Sequence, residues 1–155
     1  MKTPIVSVLT CLFVFLLCLN SYAGDAEDLV DAAWKGDMAT VQGLLAKGTG
    51  ADAKKSSGLT ALMTACGKGS LEIAQLLISK GADINAKTND GTTVLMYASD
   101  TPEIVKILIA KGVDINAKMT NGWTALMLAA QGSPPETVKL LLAAGADINV
   151  KSDND

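Results

Sequence analysis

A chain of 155 residues that is 49% hydrophobic but only 4% aromatic takes its apolar character from Ala, Leu, Ile, Val and Met, which favours helices packed through small aliphatic side chains over a β-sandwich. Its formal net charge of −3 argues against a partner held through phosphates, so no nucleic acid is expected. All 13 basic residues are Lys and there is no His, which removes bidentate arginine clamps and imidazole chemistry.

The chain opens with Lys2 and the apolar run "IVSVLTCLFVFLLCL" from Ile5 to Leu19, followed by "NSYA". Ser21 and Ala23 supply the small residues of a cut after Ala23, the layout of a secretory signal peptide. As a helix this run spans roughly 22 Å, short of the ~30 Å hydrocarbon core. Residues 1–23 are therefore expected to be a signal, and an uncleaved membrane anchor is the alternative. After cleavage the only cysteine left is Cys66, so no internal disulfide forms and stability must come from packing. Cys66 lies in an apolar helical pattern, which favours a small core residue over a reactive thiol.

From Ala26 onward the chain repeats itself. Gly58, Gly91 and Gly122 are 33 and 31 residues apart, and the glycines before the Asp phrases, Gly48, Gly81, Gly112 and Gly145, are 33, 31 and 33 apart. A period near 33 marks a repeat architecture. A degenerate first unit, "AEDLVDAAWKGDMATVQGLLAKGTGADAKKSS", precedes the three clear ones. Within the last unit "TALMLAA" predicts a short apolar helix from Thr124, and "SPPE" predicts a capping box from Ser133 to Glu136 with Pro134 in the first turn. The second helix, "TVKLLLAA", ends at Gly145. Gly81 and Gly145 are expected at positive φ after their helices. Asp147 and Asn149 then build a turn towards the next unit. The third unit is two residues shorter, and the deficit is placed between its helices, where Thr101-Pro102-Glu103 still supplies a cap and a proline start.

These units resemble the ankyrin repeat family. The family's Thr-Pro-Leu-His tetrapeptide is similar to Thr60-Ala61-Leu62-Met63, Thr93-Val94-Leu95-Met96 and Thr124-Ala125-Leu126-Met127. Met in place of His removes that residue's hydrogen bonds and leaves apolar packing between units. The resemblance implies an all-α solenoid of four helix-turn-helix repeats with short β-turn fingers. The repeats fall at about 26–57, 58–90, 91–121 and 122–155, within a domain of residues 24–155.

Sites of chemistry are not expected. The phrases at Asp83, Asp114 and Asp147 superficially suggest calcium loops, but Lys87, Lys118 and Lys151 occupy the fifth position and no Gly follows. Zinc is not expected without His and with one Cys. The stretch "CGKGS" at 66–70 lacks the strand–loop–helix context of a phosphate loop and is an interhelix turn. Ser and Thr sit at caps and turns, so no catalytic residue, metal or cofactor is assigned and no enzyme is expected.

The resemblance instead implies a protein-binding module that works through its turn tips and first helices, on a concave face. The candidate residues near the ends of the first helices are Trp34, Lys68, Asp100 and Gln131. Leu59, Thr92 and Trp123 precede the tetrapeptides. Ser56, Asn89, Asp90, Thr120 and Asn121 lie at the tips. Exposed tryptophans are typical contact hot spots, and the alternative for Trp34 and Trp123 is packing on a neighbouring turn. Glu27, Asp28 and Asp31 give the first unit a polar outer face, whereas the last keeps Leu140, Leu141 and Leu142. Some of Thr137, Val138, Leu141 and Leu142 would touch a following unit, so weak self-association through the C-terminal repeat, or use of that end by the partner, is expected. Together these features predict an exported binding or scaffold protein of the bacterial periplasm or exterior, with no membrane contact after cleavage. A secreted effector that binds a host protein is the alternative.

Overall fold

The computed structural model describes residues 24–153; the signal-peptide assignment lies outside them. Helix α1 covers residues 24–35, followed by α2 (Met38–Ala46), α3 (Ala61–Gly67), α4 (Leu71–Ser79), α5 (Val94–Tyr97), α6 (Pro102–Ala110), α7 (Ala125–Gly132) and α8 (Pro135–Ala143). Helix α3 packs on α4 and α7 on α8. First helices α3, α5 and α7 stack on one another, and second helices α4, α6 and α8 form a second row. The described residues contain helices and three isolated antiparallel bridges, Lys54 with Thr60, Lys87 with Thr93 and Lys118 with Thr124, each closing one finger. The fold is therefore the all-α repeat solenoid that the sequence predicts.

First helices α3, α5 and α7 start the same way for the same reason. The hydroxyl of Thr60, Thr93 or Thr124 accepts the backbone N–H three residues on, at 3.2, 3.3 and 3.4 Å, which satisfies a donor that the helix start would leave orphaned. The methionine that closes the tetrapeptide faces the core in the second and third repeats, where Met63 and Met96 are buried, and is partly buried in the last, at Met127. In the third repeat it does more than pack, because Met96 Sδ accepts the Thr93 N–H at 3.4 Å and completes a reciprocal cap.

The core is a single column along the stack. Leu29, Leu62 and Leu95 contribute from the first helices and Leu77, Leu108 and Leu141 from the second, all at most 1% exposed. Each such side chain contributes about 2 kcal/mol of burial. One polar group sits badly in this core: the Thr49 hydroxyl is buried without a hydrogen-bond partner, where the later repeats carry Ala82, Val113 and Ala146.

The "DIN" phrases work as couplers. Within a repeat the carboxylates of Asp83, Asp114 and Asp147 accept the N–H two residues on, at 2.8, 3.1 and 2.8 Å. Between repeats Asn85 Oδ1 accepts the Asp114 N–H at 2.8 Å and Asn116 Oδ1 accepts the Asp147 N–H at 2.9 Å. Asp52 does the same for Asp83. Each of these bonds joins positions 29 or 31 residues apart, so every unit is tied to its neighbour at the same point of the repeat. Gly81 and Gly145 have φ of 87° and 90°, as expected. Gly91 has a second reason to be glycine: at φ 84° an added Cβ would lie 2.9 Å from the Met119 Cα of the next finger.

Local details differ from expectation in two places. The two-residue deficit of the third repeat trims its first helix: α5 has 4 residues where α3 has 7. Ser133 does not cap α8. Pro134 takes the N-cap position ahead of Pro135, and the Ser133 hydroxyl donates to Asp100 Oδ1 at 2.8 Å instead.

Candidate protein-binding surface

The candidate residues fall into three rows set by the repeat, not into one pocket. At the finger tips Ser56, Asn89, Asp90, Thr120 and Asn121 are exposed, but several of their polar groups hold adjacent fingers in register. Asn89 donates from its backbone to Ser57 O and from Nδ2 to Ser56 O, both at 2.9 Å. Thr120 donates its N–H and its hydroxyl to Asp90 O, both at 3.0 Å. The Asp90 carboxylate accepts from the Thr88 hydroxyl and, at 3.0 Å, from the Thr92 hydroxyl. These bonds favour its charged form and hold its pKa below the usual carboxylate value, with the Thr88 hydrogen bond the leading cause.

The middle row is less open. Leu59, Thr92 and Trp123 are each partly buried. The Trp123 N–H donates to Asn121 Oδ1 at 3.2 Å, a side-chain turn that fixes the backbone just before α7.

The row at the first-helix ends carries the most distinctive group. Trp34 is 61% exposed, and Lys68 places its Nζ 3.4 Å from the centroid of the Trp34 ring. The ring's negative face attracts the ammonium, so the pair joins the first repeat to the second. Asp100 and Gln131 are exposed in the same register, and Asp100 is held by Ser133. Trp34 and Trp123 belong to the first and last repeats, so two whole repeats separate them.

Sequence reasoning named Trp34 and Lys68 without pairing them, because the residues are 34 positions apart. It also missed a groove of about 390 Å³ beside them, between the starts of α2 and α4, lined by Gly36, Met38, Gly69, Ser70, Leu71, Glu72 and Ile73. The signal was present as "KGD" at 35–37 against "KGS" at 68–70: both glycines take positive φ, 72° and 67°, and turn the chain away from the space between the helix starts.

Cys66 lies on the inner side of α3, and burial pushes its thiol pKa up to about 12. The group stays a protonated core residue near neutral pH.

A family model described as "Ankyrin repeats (3 copies)" matches residues 29–119 and again 99–152. The chain belongs to the ankyrin repeat family. Membership carries a general role in protein–protein contact or scaffolding. No curated protein is similar enough to the chain to count as a relative. No described helix of this ankyrin repeat chain is long and apolar enough to cross a membrane.

Proposed function

We propose that this ankyrin repeat chain is an exported scaffold module that binds a partner protein through its first-helix ends and finger tips, and that it acts by binding rather than by catalysis. The observation that carries the reading is Trp34. Its counterparts in the other repeats are Gly67, Asp100 and Gln131, so the fold does not require an aromatic there, yet a large ring stands 61% exposed under a lysine. An exposed, positioned tryptophan is the residue type that dominates contact energies. Export, with a mature N-terminus at Gly24, rests on the composition of residues 1–23 and places the partner in the bacterial periplasm or outside the cell. An effector directed at a host protein is the second form of the same reading, and recovery of the protein from outside the cell would favour it. The C-terminal repeat offers a further contact face, open to weak self-association.

The test is capture from envelope extracts by protein recovered from the exporting host, with intact mass reporting its N-terminus. The parent should retain a partner. Trp34→Ala and Trp123→Ala should each weaken affinity by about 2 kcal/mol if they are hot spots, with helical content unchanged. Equal affinity for parent and both variants would return the tryptophans to a packing role and contradict the proposed surface.

A further inference from the structure

The turn between the two helices is built differently in the first two repeats and in the last two. Helices α6 and α8 begin with Pro102 and Pro135, but α2 and α4 begin with Met38 and Leu71. Proline is pre-organised for that position and its missing N–H costs nothing there, so a helix start does not require a long apolar side chain. Met38 and Leu71 are partly buried, and together with the buried Ile73 they line the groove of about 390 Å³ beside Trp34 and Lys68.

The same notch is bridged further along the stack. Thr101 of the third repeat stands so close to Gly69 that an added Cβ would meet its Oγ1 at 3.1 Å. The Ser133 hydroxyl of the last repeat donates to Asp100. Between the first and second repeats Gly36 holds the place of Gly69 and Ser70 that of Thr101, yet a Cβ on Gly36 would meet nothing within 4 Å. The groove is the one notch of the three that no side chain of the following repeat crosses.

Its charges are unevenly engaged. Lys35 and Lys68 immediately precede the lining residues Gly36 and Gly69, and both are exposed. Neither forms an ion pair among the described residues; Lys68 lies over the Trp34 ring instead. Of the nearby carboxylates, Asp37 accepts the Thr40 N–H at 3.0 Å and the Thr40 hydroxyl at 2.6 Å, and so caps α2. Ser70 makes no such bond at the start of α4, which leaves the partial positive charge of that helix end without a side-chain acceptor. Glu72 is the one carboxylate that lines the groove. A carboxylate arriving on the Lys35 and Lys68 side therefore meets two unpaired ammonium groups. An ammonium arriving there is repelled by both and must displace Lys68 to reach the Trp34 face. A purely polar arrival would leave Met38 and Leu71 in contact with water and gain nothing from them.

We propose that the groove between the starts of α2 and α4 takes an aliphatic side chain of the partner protein, from an extended acidic segment whose carboxylate lies against Lys35 and Lys68. The volume is at the low end of the roughly 300–1,000 Å³ of ligand pockets, a size for one anchoring side chain. The proposal rests on the tryptophan surface as the partner site and adds to it the chemistry of what binds there.

Amide-resolved NMR titration of the labelled chain, recovered from the exporting host, tests it with three end-blocked pentapeptides: Gly-Asp-Leu-Asp-Gly, Gly-Asp-Ala-Asp-Gly and Gly-Lys-Leu-Lys-Gly. The acidic leucine peptide should shift the amides of Gly36, Gly69, Ser70 and Glu72 and leave Gly112 and Gly145 in place. The alanine peptide should bind roughly tenfold more weakly, as expected for an aliphatic anchor. The lysine peptide should also bind more weakly than the acidic one. Lys68→Glu, at an exposed position, should weaken the acidic leucine peptide about threefold or more, Glu72→Gln should tighten it, and added salt should weaken it. Silent groove amides with that peptide at millimolar concentration would overturn the proposal. So would equal binding of the lysine peptide, equal binding of the alanine peptide, or an affinity untouched by both Lys68→Glu and Glu72→Gln. Failure of the tryptophan surface is read separately, as partner capture that Trp34→Ala leaves unchanged. Capture lost in Trp34→Ala while the groove amides stay silent would sink the acidic anchor alone.

Discussion

The second and third repeats begin with nearly the same words, "GLTALM" and "GTTVLM", yet α3 runs for 7 residues and α5 for 4. A helix of one turn has almost no stability of its own, because nucleation costs more than its first bonds return. Even so, Val94, Leu95 and Met96 are 0–4% exposed, as deeply buried as Ala61, Leu62 and Met63. Helix length is therefore not what holds a repeat in place. The constant parts are the threonine cap, the buried trio behind it and the units on either side. The missing turn of α5 is offset from outside: Ser99 O accepts the Thr137 hydroxyl and Asp100 accepts the Ser133 hydroxyl, both at 2.8 Å and both from the last repeat.

If neighbours set the stability of each unit, equivalent truncations in the two repeats should cost the same. Leu62→Ala and Leu95→Ala should each destabilise the chain by about 3 kcal/mol in denaturant melts. Leu126→Ala, at the same word in the last repeat but partly exposed, should cost about 1 kcal/mol, because the removed atoms already see water. A Leu95→Ala loss well below that of Leu62→Ala would mean that the short helix is only loosely held.

The fingers sharpen the comparison at the next level. Gly91→Ala should cost about 2–3 kcal/mol, combining the left-handed backbone penalty with a displaced neighbouring finger. Gly145 meets nothing within 4 Å of an added Cβ, so Gly145→Ala should cost only the backbone part, about 1 kcal/mol. Equal losses at the two positions would show that the close approach at Met119 relaxes freely.

The smallest effect concerns the external support of α5. Thr137→Val keeps the shape of a fully buried side chain and removes its hydroxyl, which leaves Ser99 O without that donor. It should cost about 1 kcal/mol. Ile73 and Ile104 hold the same position in the inner repeats, so an unchanged melt would mean that this site wants only an apolar side chain and that α5 needs no outside donor.

Most of the fold was legible because each repeat carries its own punctuation. Thr60, Thr93 and Thr124 mark helix starts, Gly81 and Gly145 mark helix ends, and both signals recur with the repeat. What could not be read depends on contacts between units. Ser133 fits a local capping pattern, but the proline after Pro134 moves the helix start by one residue, and a carboxylate 33 positions away takes the hydroxyl. Leu141 and Leu142 look alike in sequence, and only the phase of α8 turns one into the core and the other outward. On the candidate surface the positions of Trp34 and Lys68 were readable but their stacking was not. The tip residues Asn89 and Thr120 look like contact residues in the sequence, yet their side-chain donors bond to the neighbouring finger.

Native-state hydrogen exchange tests most directly whether neighbouring repeats, rather than helix length, hold each unit. The amides to compare are Thr64, bonded to Thr60 O at 3.1 Å, and Tyr97 and Ala98, bonded to Thr93 O and Val94 O at 3.2 and 3.1 Å. The account predicts protection within about tenfold across the two repeats, roughly 1.4 kcal/mol in opening free energy. Exchange at Tyr97 and Ala98 that is several hundredfold faster, with Thr64 still protected, would contradict it.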